Sequence, residues 1–441
     1  VDRLAAGPRG LVAAVAEQLA ALDRRDLRGA VDFEFSDEQA TGPGPTRELL
    51  DLFGRTLFAP LRPDAPPAAA ATAAAAEENT GDSKRGDEEP KPTRSPDEEG
   101  MTAMWAEGRR TPVRAAEQTE QENAAQSDEL HNKPESDFWT FAPFFEKVDS
   151  RSPLVIPRAY GDDFDQVSRY FQTAGRVLGL SIKQAAPLGV RIPKAVWAII
   201  LGREPTIEEC LAEDPVTARS LRQVLALENE EELAALDLTF AVPLPGGKEA
   251  ELKPGGAAAP VTLASRGEYA RLFARRAATR GAEREVAALR LGLTDVVPPG
   301  LLAVLHPAEI YEAVAGPDTV DLARLERATE YVINGEVNRG SGAHPLARAF
   351  WEVAAALAPP ALRALLRFWS GSAHPPFAGA DREEEVWTIT FDHTDNPSNL
   401  PQATTCDRNL FLPPYKSKEE LKKKLLMAME FGAAGFDPDR S

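Results

Sequence analysis

Cys406 sits within LPQATTCDRNLFLPPY, residues 400–415, and the only other cysteine of the 441-residue chain is Cys210. Taken alone, a free cysteine is more often a small buried hydrophobe than a reactive group. The neighbours of Cys406 argue otherwise. Gln402, Thr404 and Thr405 precede it, Asp407 and Arg408 follow, and this polar run makes a poor core strand and reads as an exposed loop. Cys210, in IEECLAEDP, lies in a helical context and keeps the packing reading. A hydrolytic thiol needs an imidazole partner. The five histidines are scattered at His131, His306, His344, His374 and His393, and no spacing sets one beside Cys406. No C-x-x-C or H-x-x-x-H spacing marks a metal site, and GGKEAELKPGG and GRVLG lack the spacing and the Lys-Ser/Thr ending of a phosphate loop. What suits a lone exposed thiol is acyl exchange. A thiolate attacking a thioester replaces one C–S bond by another, so the step is nearly thermoneutral and asks for access, orientation and thiolate character.

The elements that must present this loop are legible on both sides of it. VWTITFD alternates as a strand should, and NLFLPPY and a helix follow the cysteine. That helix opens with Ser417 and Glu420 in capping-box spacing and sets Leu421, Leu425 and Ala428 on one face. Upstream, Phe164, Val167, Tyr170, Phe171, Ala174 and Leu178 recur at helical spacing, and PKAVWAIILG reads as a helix with Pro193 in its first turn and Gly202 at its end. The opening RGLVAAVAEQLAALDRRDL is helical, VDFEF is strand-like and TGPGPTRELLDLFGRTLF is turn-rich. Residues 214–240 give a helix and the strand LDLTFAV, AELKPGGAAAPVT a turn and strand, and 266–367 a helical region. Residues 65–136, rich in Ala, Pro and acids, read as a disordered insertion.

The length allows two or more domains, and 43% hydrophobic with 27% charged residues supports a sizeable core. A net charge of −19 argues against a nucleic-acid binder, and no apolar run is long enough to span a bilayer. Two distant cysteines point to a reducing intracellular compartment, cytoplasmic or nuclear. The opening residue is Val1 rather than Met, which fits a fragment of a longer protein.

LPQATTCDRNLFLPPYKSKEELKKKLLMAME…GF resembles the C-terminal lobe of HECT-type ubiquitin ligases, in which an L-P-x-x-x-T-C loop carries the ubiquitin-accepting cysteine. VDFEFSDEQATGPGPTREL, RYFQTAGRVLGLSIKQAAPLGVRIPKAVWAIILG, LDLTFAV, ELKPGGAAAPVT, GEYARLF, PAEIYEAVAG, AFWEVAAAL and LLRFWSGSAHPP are similar to further family segments, in family order. The resemblance implies an α+β, bilobal fold: a large, mainly helical N-terminal lobe over 1–368, a hinge at 369–373 and a small α/β lobe over 374–441. Small Ser370, Gly371 and Ser372 suit such a hinge. It also implies a ubiquitin transferase without cofactor or metal, whose partners are a ubiquitin-conjugating enzyme, ubiquitin and a protein substrate, with no nucleic acid and no membrane.

Carried over residue by residue, Cys406 matches the acceptor cysteine and Thr405 the threonine before it. Thr404 stands where the family often has His, His374 where it commonly has Arg, and Phe436 matches the family's near-terminal aromatic but is followed by DPDRS. Conjugating-enzyme contacts are expected from a small subdomain at about 203–273, at Leu221, Val224, Leu236, Tyr269 and Phe273. Core packing is the plain alternative for these apolar residues. The insertion falls where the family has a segment involved in binding a second ubiquitin. The alternatives to transfer are a HECT-shaped scaffold that has lost catalysis and, more weakly, a thiol hydrolase.

Overall fold

The opening helical pattern forms α1 (Arg3–Ala21), and α2 (Arg24–Arg28) follows after a turn that Asp23 caps by accepting from the amides of Arg25 and Asp26. The turn-rich reading of residues 41–58 is corrected here, because Pro43 begins a helix, α3 (Pro43–Thr56). Prolines are tolerated in a first helical turn, whose amides have no intrahelical acceptor. Leu49, Leu50, Leu52 and Phe53 are its buried stripe. The computed structural model describes residues 3–31, 33, 43–59, 144–149, 151–243, 249–339, 344–375, 386–391 and 396–433. The expected insertion at 65–136, most of the VDFEF segment and Phe436 lie outside them.

A hairpin of β1 (Phe145–Lys147) and β2 (Val155–Pro157) leads into α4 (Phe164–Lys183). Of the helical stripe read from the sequence, Val167, Tyr170, Phe171, Ala174 and Leu178 are buried, whereas Phe164 is half-buried. Then come α5 (Lys194–Ile200), α6 (Ile207–Cys210), α7 (Pro215–Ala226), α8 (Glu230–Ala234), α9 (Arg266–Thr279) and α10 (Glu283–Val296). Helices α4 and α10 pack through glycines. A Cβ on Gly292 would lie 1.7 Å from the Gln172 carbonyl oxygen, and one on Gly175 would lie 2.1 Å from that of Leu289. Only hydrogen in place of a side chain lets these backbones approach so closely.

The chain divides into two compact units, and the described parts of the second are residues 239–243 and 249–260. There β3 (Ala241–Pro243) and β4 (Glu249–Glu251) form an antiparallel hairpin, with Thr239 bridged to Pro260 and the Lys253 ammonium 3.6 Å from the Phe240 ring centroid. The strand read as LDLTFAV is therefore shorter than expected.

In the first unit α11 (Pro299–Leu302), α12 (Pro307–Ala315) and α13 (Leu322–Arg327) precede a five-stranded sheet, β5 (Thr329–Ile333), β6 (Glu336–Arg339), β7 (Trp387–Phe391), β8 (Gln402–Thr404) and β9 (Asn409–Leu412). Its spatial order is β6-β5-β7-β9-β8, with β5, β7 and β9 parallel and both edges antiparallel. Helices α14 (Pro345–Ala355), α15 (Pro359–Ser370) and α16 (Lys418–Ala433) complete its core. The expected cap of α16 is present in modified form: Ser417 accepts from the Glu420 amide at 3.1 Å, while the Glu420 carboxylate accepts from the amide of Lys416, one residue earlier than in a capping box.

The sheet overturns the expected hinge at 369–373. Thr329–Ile333 pairs in register with Trp387–Phe391, and Leu325, Tyr331, Trp369 and Leu421 share one apolar cluster. Residues on both sides of 369–373 thus belong to one core. Ser370 and Ser372 are buried, with Ser370 Oγ donating to the Leu366 carbonyl at 2.9 Å, and Gly371 caps α15 with a left-handed φ of 80°. Small residues serve here as a buried cap, and Leu325 and the strand Thr329–Ile333 share one core with the sheet that carries the Cys406 turn.

Deep between α1, α4 and α10, the Asp295 carboxylate accepts from Arg176 Nε at 3.0 Å, Gln172 Nε2 at 3.0 Å and Arg24 Nε at 2.7 Å. Arg176 Nη1 also donates to the carbonyls of Leu19, Ala20 and Leu22, closing the C-terminal end of α1. Arg176→Met removes the buried cation from the carboxylate, leaving it Gln172 and Arg24, and strands these carbonyls, and should lower unfolding free energy by about 3 kcal/mol in urea denaturation. Arg24→Ala, removing a largely exposed partner, should lower it by under about 1 kcal/mol.

Candidate active site

Cys406 lies in the four-residue turn of the β8–β9 hairpin, where Thr404 pairs with Asn409. The Thr404 hydroxyl donates to the Asp407 carboxylate across the turn, and Arg408 closes it in the left-handed region at φ 52°. That conformation is uncommon for a side-chain-bearing residue and persists only where its surroundings fix it. Two tryptophans do so. Trp369 Nε1 of α15 donates to the Arg408 carbonyl at 2.7 Å, the Arg408 guanidinium lies 5.5 Å from the Trp387 ring centroid, and the two indoles meet edge to face at 5.0 Å. Below them Trp351 donates to the Tyr331 hydroxyl at 2.7 Å within the core. The thiol therefore rides on a turn anchored from beneath, with Cys406 half-exposed and Thr404 exposed.

Above the turn lies the first part of α3. Arg47 Nη2 donates to the carbonyls of Thr405 and Cys406, the latter at 3.2 Å, while Arg47 Nε donates to the Ser370 carbonyl at 2.9 Å. Thr405 Oγ1 donates to Glu48 Oε1 at 2.9 Å. Gly44 faces the sulfur, and a Cβ there would lie 2.7 Å from Cys406 Sγ. One turn further on, the buried Asp51 carboxylate accepts from Arg367 Nε at 2.8 Å, Arg55 Nε at 2.9 Å and the Ala373 amide at 2.9 Å. Burial alone would raise the Asp51 pKa, but Arg367, Arg55 and the Ala373 amide together hold it below the usual carboxylate value. None of Gly44, Arg47, Glu48 and Asp51 was singled out by sequence pattern. The available signal was the GPGPTREL segment itself, which sets an Arg-Glu pair directly after the prolines and glycines of the helix start.

Among the described histidines none assists the thiol. His306 and His344 cap α12 and α14, each accepting through Nδ1 from an amide two residues on at 3.2 Å. His374 Nδ1 accepts from Arg363 Nη1 at 2.6 Å. His131 and His393 lie outside the described residues. Among the described residues no group of three His, Cys, Asp or Glu is placed to hold a metal, and no helix is long and apolar enough to cross a membrane.

Cys210 ends α6, half-buried beside a cavity of 760 Å³ that Leu154, Pro193 and Tyr311 also line. Burial first, and then Glu204 and Glu209, push its thiol up to about 12, which leaves it protonated at neutral pH. Of the residues expected to meet a conjugating enzyme, Leu221, Val224 and Tyr269 are buried and pack in the α7–α9 interior, so for these three the contact role is corrected to core packing. Leu236 and Phe273 are half-exposed, the Phe273 ring 5.8 Å from that of Tyr269.

A helical assembly joined to a sheet that displays one thiol on a braced turn matches the HECT-domain (ubiquitin-transferase) family over residues 123–438, and the chain belongs to that family. It is similar to the E3 ubiquitin-protein ligase HACE1 of Bos taurus, 29% identical over 274 residues that make up 60% of this chain and 29% of that protein. The Gallus gallus HACE1 is 30% identical over 274 residues, 60% of this chain and 28% of that protein. The E3 ubiquitin-protein ligase UPL2 of Arabidopsis thaliana is 28% identical over 281 residues, 60% of this chain and 7% of that protein. The chain spans less than a third of the length of these relatives.

Burial first, and then the neighbouring Arg363, bring His374 down to about 4 from an ordinary 6.5. Below pH 6.5 the unfolded chain takes up a proton that the folded chain refuses, so stability should fall as pH drops from about 6.5 to about 4, by up to about 3 kcal/mol. Asp51 stays ionised across this window. Urea midpoints measured at pH 7 and pH 5 should differ markedly in the parent chain and much less in His374→Gln, which keeps an acceptor for Arg363. An equal acid slope in both proteins would assign the loss to other groups.

Proposed function

We propose that the chain is a ubiquitin ligase module in which Cys406 accepts ubiquitin from a conjugating enzyme and passes it to a lysine of a protein substrate. The observation that carries this reading is a half-exposed thiol on a rigid, polar turn in a chain of the HECT family. In loading, Cys406 Sγ attacks the thioester carbonyl, the bond to the donor cysteine breaks and that thiol departs. In delivery a lysine amine attacks the new thioester, the C–N bond forms, the C–S bond breaks and the amine proton is lost as the Cys406 thiol is restored. Thr405 fixes the turn through Glu48, and Thr404 does so through Asp407. Neither places an imidazole by the sulfur, so the lysine's proton leaves by another base or by water.

Serving two large partners with one thiol requires the Cys406-bearing unit to move. Since 369–373 is internal to one core, we place the joint at residues 316–321, between α12 and α13.

Cys406→Ala should abolish the reducing-agent-sensitive ubiquitin adduct, and Cys210→Ala should retain it. An adduct on the Cys406→Ala chain would reassign the acceptor, and release of free ubiquitin by the parent without an adduct would favour a hydrolase. Cys406→Ser should give an oxyester that survives reducing agent, because an alkoxide leaves less readily than a thiolate.

Leu236 and Phe273 remain as docking residues for the conjugating enzyme. Loss of a buried aromatic anchor commonly costs about 2 kcal/mol, roughly thirtyfold in affinity. Phe273→Ala should weaken loading by about that factor at unchanged melting temperature; unchanged loading, or a collapsed melting temperature, would make Phe273 a core residue.

A further inference from the structure

Side chains from both flanks of the joint at 316–321 close on it. From the sheet side, Arg363 of α15 donates through Nη2 to the carbonyls of Pro317 at 3.3 Å and Asp318 at 2.8 Å. From the helical side, Arg191 donates to the Asp318 carboxylate through Nη2 at 2.7 Å and Nε at 3.1 Å. The other end of the Arg363 fork, Nη1, donates to His374 Nδ1 at 2.6 Å. The imidazole sits in a slot made by two glycines. A Cβ on Gly189 would lie 2.3 Å from His374 Nε2, and one on Gly316, at the end of α12, would lie 3.1 Å from the His374 Cβ. Both glycines are left-handed, at φ 74° and 69°, a conformation that glycine adopts without strain. The Leu188 amide donates to the Val314 carbonyl at 2.9 Å, so Gly189 travels with α12. His374 belongs to the other side: its amide donates to Ser372 Oγ at 3.2 Å, that hydroxyl donates to its carbonyl at 3.1 Å, and Asp51 holds the amide of Ala373.

From this geometry we infer that Arg363 and His374 are positioning residues that clasp the joint, setting the angle between the sheet that carries Cys406 and the helices α4 and α10. The inference rests on the placement of the joint at 316–321. A different angle is reached only when Arg363 releases the two carbonyls and the imidazole leaves its slot. The clasp needs a neutral ring, because Nδ1 accepts from Arg363 only while it carries no proton. Burial first, and then Arg363, Arg191 and Arg367, oppose a charge there, and Asp51 alone favours one. The ties are unequal in strength. The Asp318 side chain is 78% exposed, and an ion pair to so exposed a carboxylate contributes little. Arg363 is half-buried, and its bonds to two carbonyls and a ring nitrogen are charge-assisted. Losing bonds of that kind shifts a two-state population by about tenfold or more. Packing alone would be met by an apolar side chain at 363. What stands there is a fork with one arm on the joint and the other on the residue that fills its glycine slot.

The test reads the angle directly. Leu291→Cys on α10 and Glu336→Cys on β6, both at exposed positions, are introduced into the full chain carrying Cys210→Ala and Cys406→Ala. Nitroxide labels on them report the distribution of distances by pulsed electron spin resonance. This background chain should give one narrow distribution. Arg363→Ala should widen it, raising the share outside the original peak by about tenfold or more. His374→Gln, which keeps a neutral acceptor, should leave it narrow, whereas His374→Lys, which sets a second cation against Arg363, should widen it as Arg363→Ala does. Asp318→Ala should change the outlying share by less than about threefold. Should Arg363→Ala fail to fold, Arg363→Gln carries the same expectation. A broad distribution in the background chain, or a narrow one in a folded Arg363 variant, would overturn the inference, as would equal widening by His374→Gln and His374→Lys. A Gly-Ser-Gly-Ser insertion after Asp318 tests the joint itself. Widening by the insertion with none in Arg363→Ala removes the clasp and keeps the joint, and no widening by the insertion places the joint elsewhere and removes both.

Discussion

The Asp51 carboxylate is the tie on which the geometry around the thiol depends. It is buried on α3, yet its partners are Arg55 on the same helix, Arg367 on α15 and the Ala373 amide just beyond. An ionised carboxylate removed from water is costly unless several donors surround it, and here two guanidiniums and a peptide N–H do. That fixes the rotation of α3 against the end of α15. Once this rotation is set, Gly44, Arg47 and Glu48 can face only the turn that carries Cys406.

From the other side the same turn is governed by aromatic packing. Trp369 ends α15, and its indole N–H reaches the Arg408 carbonyl, so the helix that Asp51 fixes also holds the base of the hairpin. The left-handed Arg408 and the internally bonded Thr404–Asp407 pair make the turn stiff in itself. A thiol on a stiff turn trades reach for orientation.

What the sequence disclosed about this arrangement was local. Cys406 stood out because polar residues flank it, the Trp387–Phe391 strand because it alternates, and α16 because its cap and apolar face recur at helical spacing. The errors share a cause as well. Ser370-Gly371-Ser372 looks like a flexible joint, because residue size alone does not tell a solvent-exposed bend from a buried helix cap. The parallel pairing of β5 with β7, which places that cap inside one core, joins segments with two helices between them and leaves no periodic trace. The first turn of α3 was hidden by its own prolines and glycines, which signal a turn as readily as a helix start. Leu221, Val224 and Tyr269 illustrate the general difficulty with apolar residues: the pattern says they are covered, but not by what.

The order of strands in the sheet has a consequence for how the protein is made. As the chain leaves the ribosome, β5 and β6 can close into a hairpin at once, but the opposite edge of β5 stays bare until β7 emerges beyond α14 and α15. Its partner is parallel, so no tight turn can bring it in early. During that interval the nascent chain presents an open row of backbone donors and acceptors, an invitation to pair with a neighbouring chain. A chain stopped by a premature termination codon before Trp387 would keep that edge indefinitely. Its fate would be set by chaperones and proteolysis rather than by any loss of chemistry at Cys406.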